Sequence, residues 1–382
     1  MSNPEVKILF ISHSSALYGS ERCLLDLIVN LPNSIVPIVI MPSNGLLNET
    51  LKKHKIETHI IMFRGWWYRR YRIKFIYRAL INFIALIRLY IKYNDRNINL
   101  IYTNTIHTPI GIVLSRMLRV NHIQHCHEYL NLNNSANFDF GLNLSTRFIS
   151  ENSTKIICTS YAHKLDLQKH IDAAKINIVH NGTNFKITNT NNSFSPKNCF
   201  QILMIGSISR NKNQLLALKA LNNLSKDGLD VDLKIIGDSL EPEYQFELNQ
   251  YIIENNLKGY VSFLGFKENV QEYLMNSDLL LVCSINETFG RVILEAMATN
   301  VAVISSALPS ISEIITHNYS GLLYPTNNSA LLTDCIITLM NNNNLRLKLI
   351  ENARLEYINK FKLEIYIKKI TNLIYKNINN NE

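Results

Sequence analysis

The sequence lacks closely spaced cysteines, a secretion signal and any apolar run long enough to cross a membrane. Its six cysteines are scattered singly over 382 residues, which argues against a disulfide framework or a zinc site and suits a reducing compartment. The longest apolar run in a helical context, Ala79 to Ile87, is far shorter than the roughly 20 residues of a spanning helix. The first residues show none of the three parts of a secretion signal, which are a basic segment, an extended apolar segment and a small-residue cleavage site. We therefore expect a cytoplasmic chain.

Two common nucleotide-binding patterns are also missing. No G-x-G-x-x-G follows a strand-like run and no Walker A sequence is present, which excludes the usual dinucleotide and P-loop sites. The formal net charge is +9, an excess that suits an anionic ligand, a nucleic acid or a membrane surface. Because no nucleic-acid recognition motif accompanies the charge, we expect no nucleic-acid partner.

Strand-like apolar runs alternate with amphipathic stretches in two series, which begin at Val6 and at Phe200. This alternation predicts an α/β fold with two Rossmann-like, doubly wound domains. We place the N-terminal domain at residues 1–185 and the C-terminal domain at 199–355. The polar stretch 186–198 between them has linker composition. Residues 356–382 form a terminal helix that is a candidate for packing back on the N-terminal domain.

The strongest motif is NETFGRVILEAMA, Asn286 to Ala298, directly after the strand-like run DLLLVCS. Backbone N–H groups at the start of its helix favour an anion such as a diphosphate. Glu295 is placed to accept ribose hydroxyls, and Glu287 would lie beside a reacting sugar. The alternative is that Glu287 caps the helix and Glu295 is a surface residue.

This string resembles the donor site of the GT-B, family 4 glycosyltransferases, a retaining group that builds bacterial polysaccharides and glycolipids. The resemblance covers nearly the whole chain. It implies two domains facing a cleft, with the donor on the C-terminal half and the acceptor on the N-terminal half. Glu287 is then a catalytic candidate. The implied donor-binding residues of this segment are Thr288, Phe289, Gly290, Arg291 and Glu295.

A second match is the loop that follows Gly206. Lys212 corresponds to the family lysine that holds the donor diphosphate. Ser207 stands where the family usually has Arg, and Arg210 is a candidate to supply the missing guanidinium. Fixed cations stabilise the negative charge that grows on a leaving diphosphate without a metal. A solvated basic loop is the alternative.

A third match is HIQHCHEY, which ends a strand-like run at His122 to Tyr129. His127 and Glu128 resemble the family's His-Asp/Glu pair, whose His faces the donor sugar, so His127 is the second catalytic candidate. A metal site is the alternative, because His125 and His127 share one face of a strand. No partner set appears elsewhere and the family needs no bound metal. We expect no metal and no cofactor, with a nucleotide sugar as substrate.

Gly19 and Ser20, followed by Glu21, resemble the family's Gly-Gly-x-Glu loop, which reaches the donor phosphate and the acceptor. Ser20 as a helix N-cap is the alternative. Pro309-Ser310 replaces the family's glycine pair beside the donor. The weaker matches are Ser160, Asn181, Gly182, Gly237, Asp238 and Glu313.

Residues 64–92 hold both tryptophans and a dense set of Arg, Lys and Tyr. Trp and Tyr favour the lipid–water interface, and Arg favours anionic headgroups. We predict a peripheral contact with the inner face of the membrane. An ordinary solvated helix with buried Ile and Leu is the alternative. The candidate contact residues are Trp66, Trp67, Arg69, Arg70, Arg72 and Lys74.

Together these features predict a retaining glycosyltransferase that moves a sugar from a nucleotide diphosphate sugar to a glycan or lipid-linked acceptor in cell-surface polysaccharide synthesis. Two alternatives are a non-catalytic glycosyltransferase-like scaffold at the membrane and a nucleotide-sugar epimerase. The departures at Ser20 and Ser207 motivate the scaffold, whereas Glu287, Glu295 and Lys212 argue against it.

Overall fold

The computed structural model describes residues 5–68, 75–130, 137–185 and 199–379. The predicted linker 186–198 lies outside these ranges, as do the predicted membrane residues Arg69, Arg70, Arg72 and Lys74. The chain forms two compact units: unit 1 is Met1–Gly182 with Leu363–Glu382, and unit 2 is Thr183–Lys362. The chain thus rejoins unit 1 at Leu363 rather than at residue 356.

Unit 1 is built on a parallel sheet that has seven strands in the described ranges, in the order β3-β2-β1-β5-β6-β8-β9. Two further strands, β4 and β7, form an antiparallel pair beside it. Ile8 to Ile11 are completely buried, as expected for a strand whose two faces are both covered. The strands are β1 (Val6–Ser12), β2 (Ile35–Met41), β3 (Glu57–Ile60), β4 (Trp67–Tyr68), β5 (Leu100–Asn104), β6 (Asn121–His125), β7 (Asn137–Phe138), β8 (Lys155–Cys158) and β9 (Ile176–Ile178).

Helices connect these parallel strands, as crossover connections require. The helices are α1 (Gly19–Val29), α2 (Leu46–Lys53), α3 (Phe75–Tyr93), α4 (Ile110–Leu118), α5 (Leu142–Asn152) and α6 (Tyr161–Leu167), and a 3₁₀ turn follows at Ala173–Lys175. Within the residues that the structure covers, no helix combines the length and apolar character needed to cross a bilayer.

Unit 2 repeats the architecture with a parallel sheet of six described strands, in the order β12-β11-β10-β13-β14-β15. The strands are β10 (Phe200–Ile205), β11 (Val231–Ile236), β12 (Val261–Phe263), β13 (Leu279–Val282), β14 (Ala302–Ser306) and β15 (Leu322–Tyr324). The helices are α7 (Gln214–Lys226), α8 (Pro242–Glu254), α9 (Gln271–Met275), α10 (Arg291–Ala298), α11 (Ser329–Asn341) and α12 (Asn343–Glu356), with a 3₁₀ turn at Ile311–Glu313 and a π-helical turn at Tyr357–Phe361.

The last helix, α13 (Leu363–Asn379), belongs to unit 1. Tyr366, Ile370 and Ile374 are buried in the same core as Ile8 and Phe10 of β1. Their spacing of four residues places them on one face of the helix. The Tyr375 hydroxyl also lies 2.5 Å from Ser34 Oγ. Hydrophobic burial therefore fixes the end of the chain on unit 1.

Helix α3 is apolar on two opposite faces. Asn82, Ala85, Leu89 and Tyr93 are buried against unit 1. The other face is exposed, with Ile76 and Ile91 each more than 70% accessible. Spacings of three and four residues place the exposed apolar stripe along one side of the helix. The stripe consists of Ile76, Leu80, Phe83, Ile84, Ile87 and Ile91.

The structure corrects the prediction for Trp66, which we expected to face a membrane. Trp66 is 4% exposed and belongs to a buried cluster with Phe138 and Ile149. Its indole Nε1 donates a hydrogen bond of 2.7 Å to the Ile106 carbonyl oxygen. An indole that is buried and hydrogen-bonded in this way supports the fold. The apolar surface of this region is instead supplied by the stripe on α3.

Gly237 allows the ends of β10 and β11 to approach closely. Its φ is +148°, and a Cβ at this position would lie 2.1 Å from the Gly206 carbonyl oxygen. Gly206 N also donates to the Ile236 carbonyl oxygen at 2.9 Å. Any side chain would therefore meet fixed backbone, so glycine is required here.

We predict that Gly237→Ala lowers the stability of unit 2 by more than the roughly 1–2 kcal/mol that a positive φ alone adds for alanine. The matched control is Gly228→Ala, because Gly228 also has a positive φ of +70° but has open space around its Cβ position. Urea unfolding followed by far-UV circular dichroism measures both variants. Equal losses would contradict the steric explanation.

Candidate active site

Two neighbouring strands of unit 2 bring Lys212 and Glu287 together. Strands β10 and β13 pair in parallel, with Ile202 opposite Leu279, so the loops after their carboxyl ends meet at one edge of the sheet. Lys212 Nζ lies 2.5 Å from Glu287 Oε2, and these side chains are 26% and 18% exposed. This half-buried ion pair joins two residues that the sequence motifs had singled out separately.

The two loops are also held together by hydrogen bonds to backbone carbonyl oxygens. Ile285 N donates to the Asn211 carbonyl oxygen at 2.8 Å, and Asn211 Nδ2 donates to the Asn286 carbonyl oxygen at 3.0 Å. Ser310 Oγ donates to the Glu287 carbonyl oxygen. Ser310 is one of the two residues that replace the family's glycine pair. Its hydroxyl helps to hold the backbone at Glu287 in place.

Glu295 is buried on α10 rather than on a surface, so the surface alternative is wrong. Arg291 Nε donates to Glu295 Oε1 at 3.1 Å, and both side chains are almost completely enclosed. The N-cap residue of α10 is Gly290, three residues after Glu287. At Gly290 φ is +95°, and a Cβ would lie 2.7 Å from Ile311 Cδ1.

Three of the other predicted donor residues have clear positions. Gly206 lies under the stem of Lys212, since a Cβ on Gly206 would be 3.3 Å from Lys212 Cε. Phe289 is buried in the core beside Phe361, so its side chain is not part of a binding surface. Arg210 Nη2 lies 2.8 Å from Glu247 Oε2, and its guanidinium lies over the Tyr244 ring. The structure therefore directs Arg210 towards α8 and does not bring it to Lys212.

In unit 1, the carboxyl ends of β1, β5 and β6 carry a cluster of histidines and glutamates. We define the histidine–glutamate cluster as His13, Glu21, His107, His127 and Glu128. His107 Nε2 lies 3.3 Å from Glu128 Oε1, and the His107 ring stacks on His13 with centroids 4.6 Å apart. His13 Nδ1 lies 3.5 Å from Glu21 Oε1. The three strands are parallel neighbours, which is why residues so distant in sequence meet.

His127 is held within this cluster by the end of β5. Its Nε2 lies 3.0 Å from Asn104 Oδ1, and its ring lies 4.0 Å from that of His125. His122 lies apart from them, hydrogen-bonded to Thr103 and Ser153. Across the described ranges, no group of three or more His, Cys, Asp or Glu side chains is arranged to hold a metal ion.

The sequence matches two models that together span most of the chain. Residues 18–186 match the model described as Glycosyltransferase Family 4, and residues 185–356 match the model described as Glycosyl transferases group 1. The chain belongs to glycosyltransferase family 4. This membership confirms the predicted family and places the chain among sugar-transferring enzymes.

Relatives and solved structures agree with this assignment. An uncharacterized glycosyltransferase of Methanocaldococcus jannaschii is 29% identical over 259 residues, which are 67% of this chain and 68% of the relative. An α-1,4-N-acetyl-D-galactosaminyltransferase of Campylobacter jejuni, named for a diphosphoundecaprenol-linked GalNAc acceptor, is 30% identical over 42% of this chain and 44% of its own. The crystal structure of Anabaena HepE in complex with UDP and glucose has a TM-score of 0.83, 21% identity and coverage of 97% of this chain and 100% of that one. The predicted GT-B fold is confirmed.

Burial shifts the pKa values of several side chains in the histidine–glutamate cluster of unit 1. It lowers the pKa of His13 to about 4, helped by the nearby His107, and lowers the pKa of His127 to about 4. Burial raises the pKa of Glu21. Burial would also raise the pKa of Glu128, but the charge and hydrogen bond of His107 outweigh it and lower that pKa to about 2. At neutral pH, Glu128 of the glycosyltransferase is therefore ionised, while His13 and His127 are neutral.

Sequence reasoning missed His13 and His107. Both follow strand-like runs, His13 directly after β1 and His107 three residues after β5, so their positions at strand ends were a usable signal. The N-cap alternative for Ser20 is wrong, because α1 begins at Gly19 with Tyr18 as its N-cap residue. Ser160 is itself an N-cap, and its Oγ accepts from His163 N at 3.0 Å.

We predict that unit 1 of the glycosyltransferase loses stability as the pH falls from 6.5 towards 4. In this window an unfolded chain protonates His13 and His127, whose ordinary pKa is 6.5, while the folded unit keeps them neutral. Each such histidine should contribute about 1.4 kcal/mol per pH unit. Glu128 adds a loss below its ordinary pKa of 4.5, whereas Glu21 acts in the opposite direction above that value.

Urea midpoints at pH 7, 6 and 5 measure this dependence, with tryptophan fluorescence as the probe. Both tryptophans of the chain lie in unit 1, so the signal reports on that unit. His127→Asn should reduce the slope against pH, whereas His54→Asn, at an exposed position of the same unit, should leave it unchanged. An unaltered slope in His127→Asn would show that His127 does not remain neutral.

Proposed function

We propose that this protein transfers a sugar, with retention of anomeric configuration, from a nucleotide diphosphate sugar to a lipid-linked or glycan acceptor in cell-surface polysaccharide synthesis. The observation that carries the proposal is the contact between Lys212 and Glu287 at adjacent strand ends of unit 2. It combines a cation suited to a diphosphate with a carboxylate suited to sugar hydroxyls.

The donor would bind on unit 2 at this edge of the sheet. Lys212 would release Glu287 and take the diphosphate, whose negative charge increases as the bond to the anomeric carbon breaks. Glu295 would accept ribose hydroxyls. A buried ion pair such as Glu295 with Arg291 contributes little to stability, so its presence beside the helix start supports a binding role. The UDP and glucose named for Anabaena HepE support a nucleotide sugar as donor.

The proton of the acceptor hydroxyl would pass to the leaving phosphate during attack on the same face of the sugar. This route requires neither a metal nor a dedicated general base, and we propose that neither is used. Contact of His127 with the transferred sugar remains a prediction. Its imidazole is neutral and is held by Asn104. It is therefore better suited to hydrogen-bond a sugar hydroxyl than to act as a positively charged group.

We further propose a peripheral position on the inner face of the membrane. The exposed stripe on α3 is apolar, while Arg88 and Lys92 add positive charge towards the end of the helix, which has no acidic residue. This combination suits a helix that lies in an anionic lipid surface. A large exposed apolar patch marks an interaction site. The undecaprenol-linked acceptor named for the Campylobacter relative supports a membrane location.

We predict that one nucleotide sugar, screened from a panel by thermal shift, stabilises the purified protein and that EDTA leaves the shift unchanged. A ligand at 100 times its dissociation constant should add about 2.7 kcal/mol. Lys212→Ala and Glu295→Gln should each abolish the shift and reduce transfer roughly 100-fold or more. Lys219→Ala is the matched control, since Lys219 is exposed on the helix that follows the same loop.

The outcomes separate the competing functions. A well-folded protein that responds to no donor would favour the scaffold. Isomerisation of the sugar without an acceptor would identify an epimerase. Full transfer by both Lys212→Ala and Glu287→Ala would show that the donor site is assigned wrongly.

We predict that the protein floats with vesicles containing anionic lipid and that Phe83→Ser with Ile91→Ser weakens this binding. Each side chain should contribute about tenfold, because burying Phe or Ile is worth about 1.5–3 kcal/mol. Phe246→Ser is the control, since Phe246 is equally exposed but lies on α8 of unit 2. Equal flotation of the double variant and the control would contradict membrane contact by α3.

A further inference from the structure

Unit 1 contains an apolar pocket of about 470 Å³, a size typical of ligand sites, which span about 300–1,000 Å³. Its walls come from helices α3, α4 and α5 and from the loop residues Trp66, Pro109, Asp139 and Phe140. Phe140 and Leu144 line it and are themselves largely exposed, so the pocket opens to the surface. Its apolar wall residues include Trp66, Phe75, Ala79, Val113 and Phe148.

One polar group in the wall lacks a partner. Ser145 is 1% exposed and lines the pocket. Its Oγ has no hydrogen-bond partner in the described part of the chain. Buried hydroxyls are normally satisfied, so an unpartnered one beside an apolar pocket indicates a ligand with a long apolar part and a nearby polar atom.

The pocket shares a loop with the histidine–glutamate cluster. The Trp66 backbone N–H donates to the His107 carbonyl oxygen at 3.0 Å, and the Trp66 indole donates to that of Ile106. Pro109, two residues beyond His107, lines the pocket. A polar head near the cluster and an apolar chain in the pocket would therefore be adjacent parts of one molecule.

The pocket also adjoins the apolar stripe of α3. Phe75 and Ala79 line the pocket from the same helix that carries Ile76 and Leu80 on its exposed face. A chain leaving the pocket would thus reach the surface at an apolar helix. The pocket wall thus shares one loop with the polar cluster and one helix with the apolar stripe, an arrangement that suits an amphipathic lipid.

We propose that this pocket binds the head-proximal part of the hydrocarbon chain of a lipid-linked acceptor, with Ser145 donating to the oxygen that joins chain to phosphate. The proposal rests on the proposed function, because it assumes a lipid-linked acceptor. The chain of the acceptor is the occupant, rather than that of a bulk phospholipid, since Pro109 of the pocket wall lies on the same loop as His107 of the histidine–glutamate cluster.

The test uses the full chain and geranylgeranyl phosphate, below its aggregation concentration, as a soluble probe. The probe should raise the urea midpoint of unit 1, read by tryptophan fluorescence. Ala79→Phe fills the pocket and should weaken binding at least tenfold. Leu165→Phe is the matched control, because Leu165 is exposed on α6 of the same unit, outside both the pocket lining and the stripe, and it should bind as the unaltered protein does.

Two further variants guard against a folding defect. Val113→Phe obstructs the pocket from α4 and should repeat the loss seen with Ala79→Phe. Ser145→Ala leaves the pocket open and should weaken geranylgeranyl phosphate several-fold without affecting phytane, a branched hydrocarbon of similar length that has no oxygen to accept the hydrogen bond. Loss of both ligands in Ser145→Ala would contradict the role of the hydroxyl.

The nucleotide-sugar shift, measured on the same preparations, separates this proposal from the proposed function. If a nucleotide sugar stabilises the protein but geranylgeranyl phosphate does not, the pocket proposal is overturned and the donor site stands. Equal binding by the unaltered protein and Ala79→Phe would also overturn it. Equally strong binding of octadecyl phosphate would identify a general acyl-chain site and refute the acceptor as occupant.

Discussion

Pairing between parallel strands that are distant in sequence is the constraint on which both candidate sites depend. In unit 2, β10 lies beside β13, and this adjacency brings Lys212 to Glu287 across 75 residues of chain. In unit 1, β1, β5 and β6 are neighbours, and their ends bring together His13, His107 and Glu128. Parallel strands all end at the same edge of the sheet. The loops that follow two neighbouring strands can therefore form a site where the strand order reverses, between β1 and β5 in unit 1 and between β10 and β13 in unit 2.

The two sites handle charge in different ways. In unit 2 the charged side chains of the candidate site form ion pairs, Lys212 with Glu287 and Arg291 with Glu295. Removing either partner of such a pair would leave the other charge enclosed and uncompensated. Unit 1 instead keeps His13 and His127 neutral by burial. Neutral imidazoles both donate and accept hydrogen bonds, which suits recognition of hydroxyl groups.

Departures from the family pattern have local explanations at some positions. Ser310, in the segment that replaces the glycine pair, donates to the Glu287 carbonyl oxygen and so supports the site. Arg210 does not compensate for Ser207, because Glu247 and Tyr244 hold its guanidinium. Nothing in the structure explains why Ser207 replaces the arginine. Of the two basic residues predicted to bind the diphosphate, only Lys212 therefore lies beside Glu287.

The sequence by itself determined the α/β alternation, the two Rossmann-like halves and the individual motifs, because periodicity and short strings are properties of neighbouring residues. It also singled out Glu287, Lys212 and His127 as candidate site residues. Only the tertiary structure decided that Trp66 is buried, that Arg210 turns towards α8, and that His13 and His107 join Glu128. Strand order and side-chain direction decide those facts. Both result from packing between residues far apart in the chain, which no local pattern records.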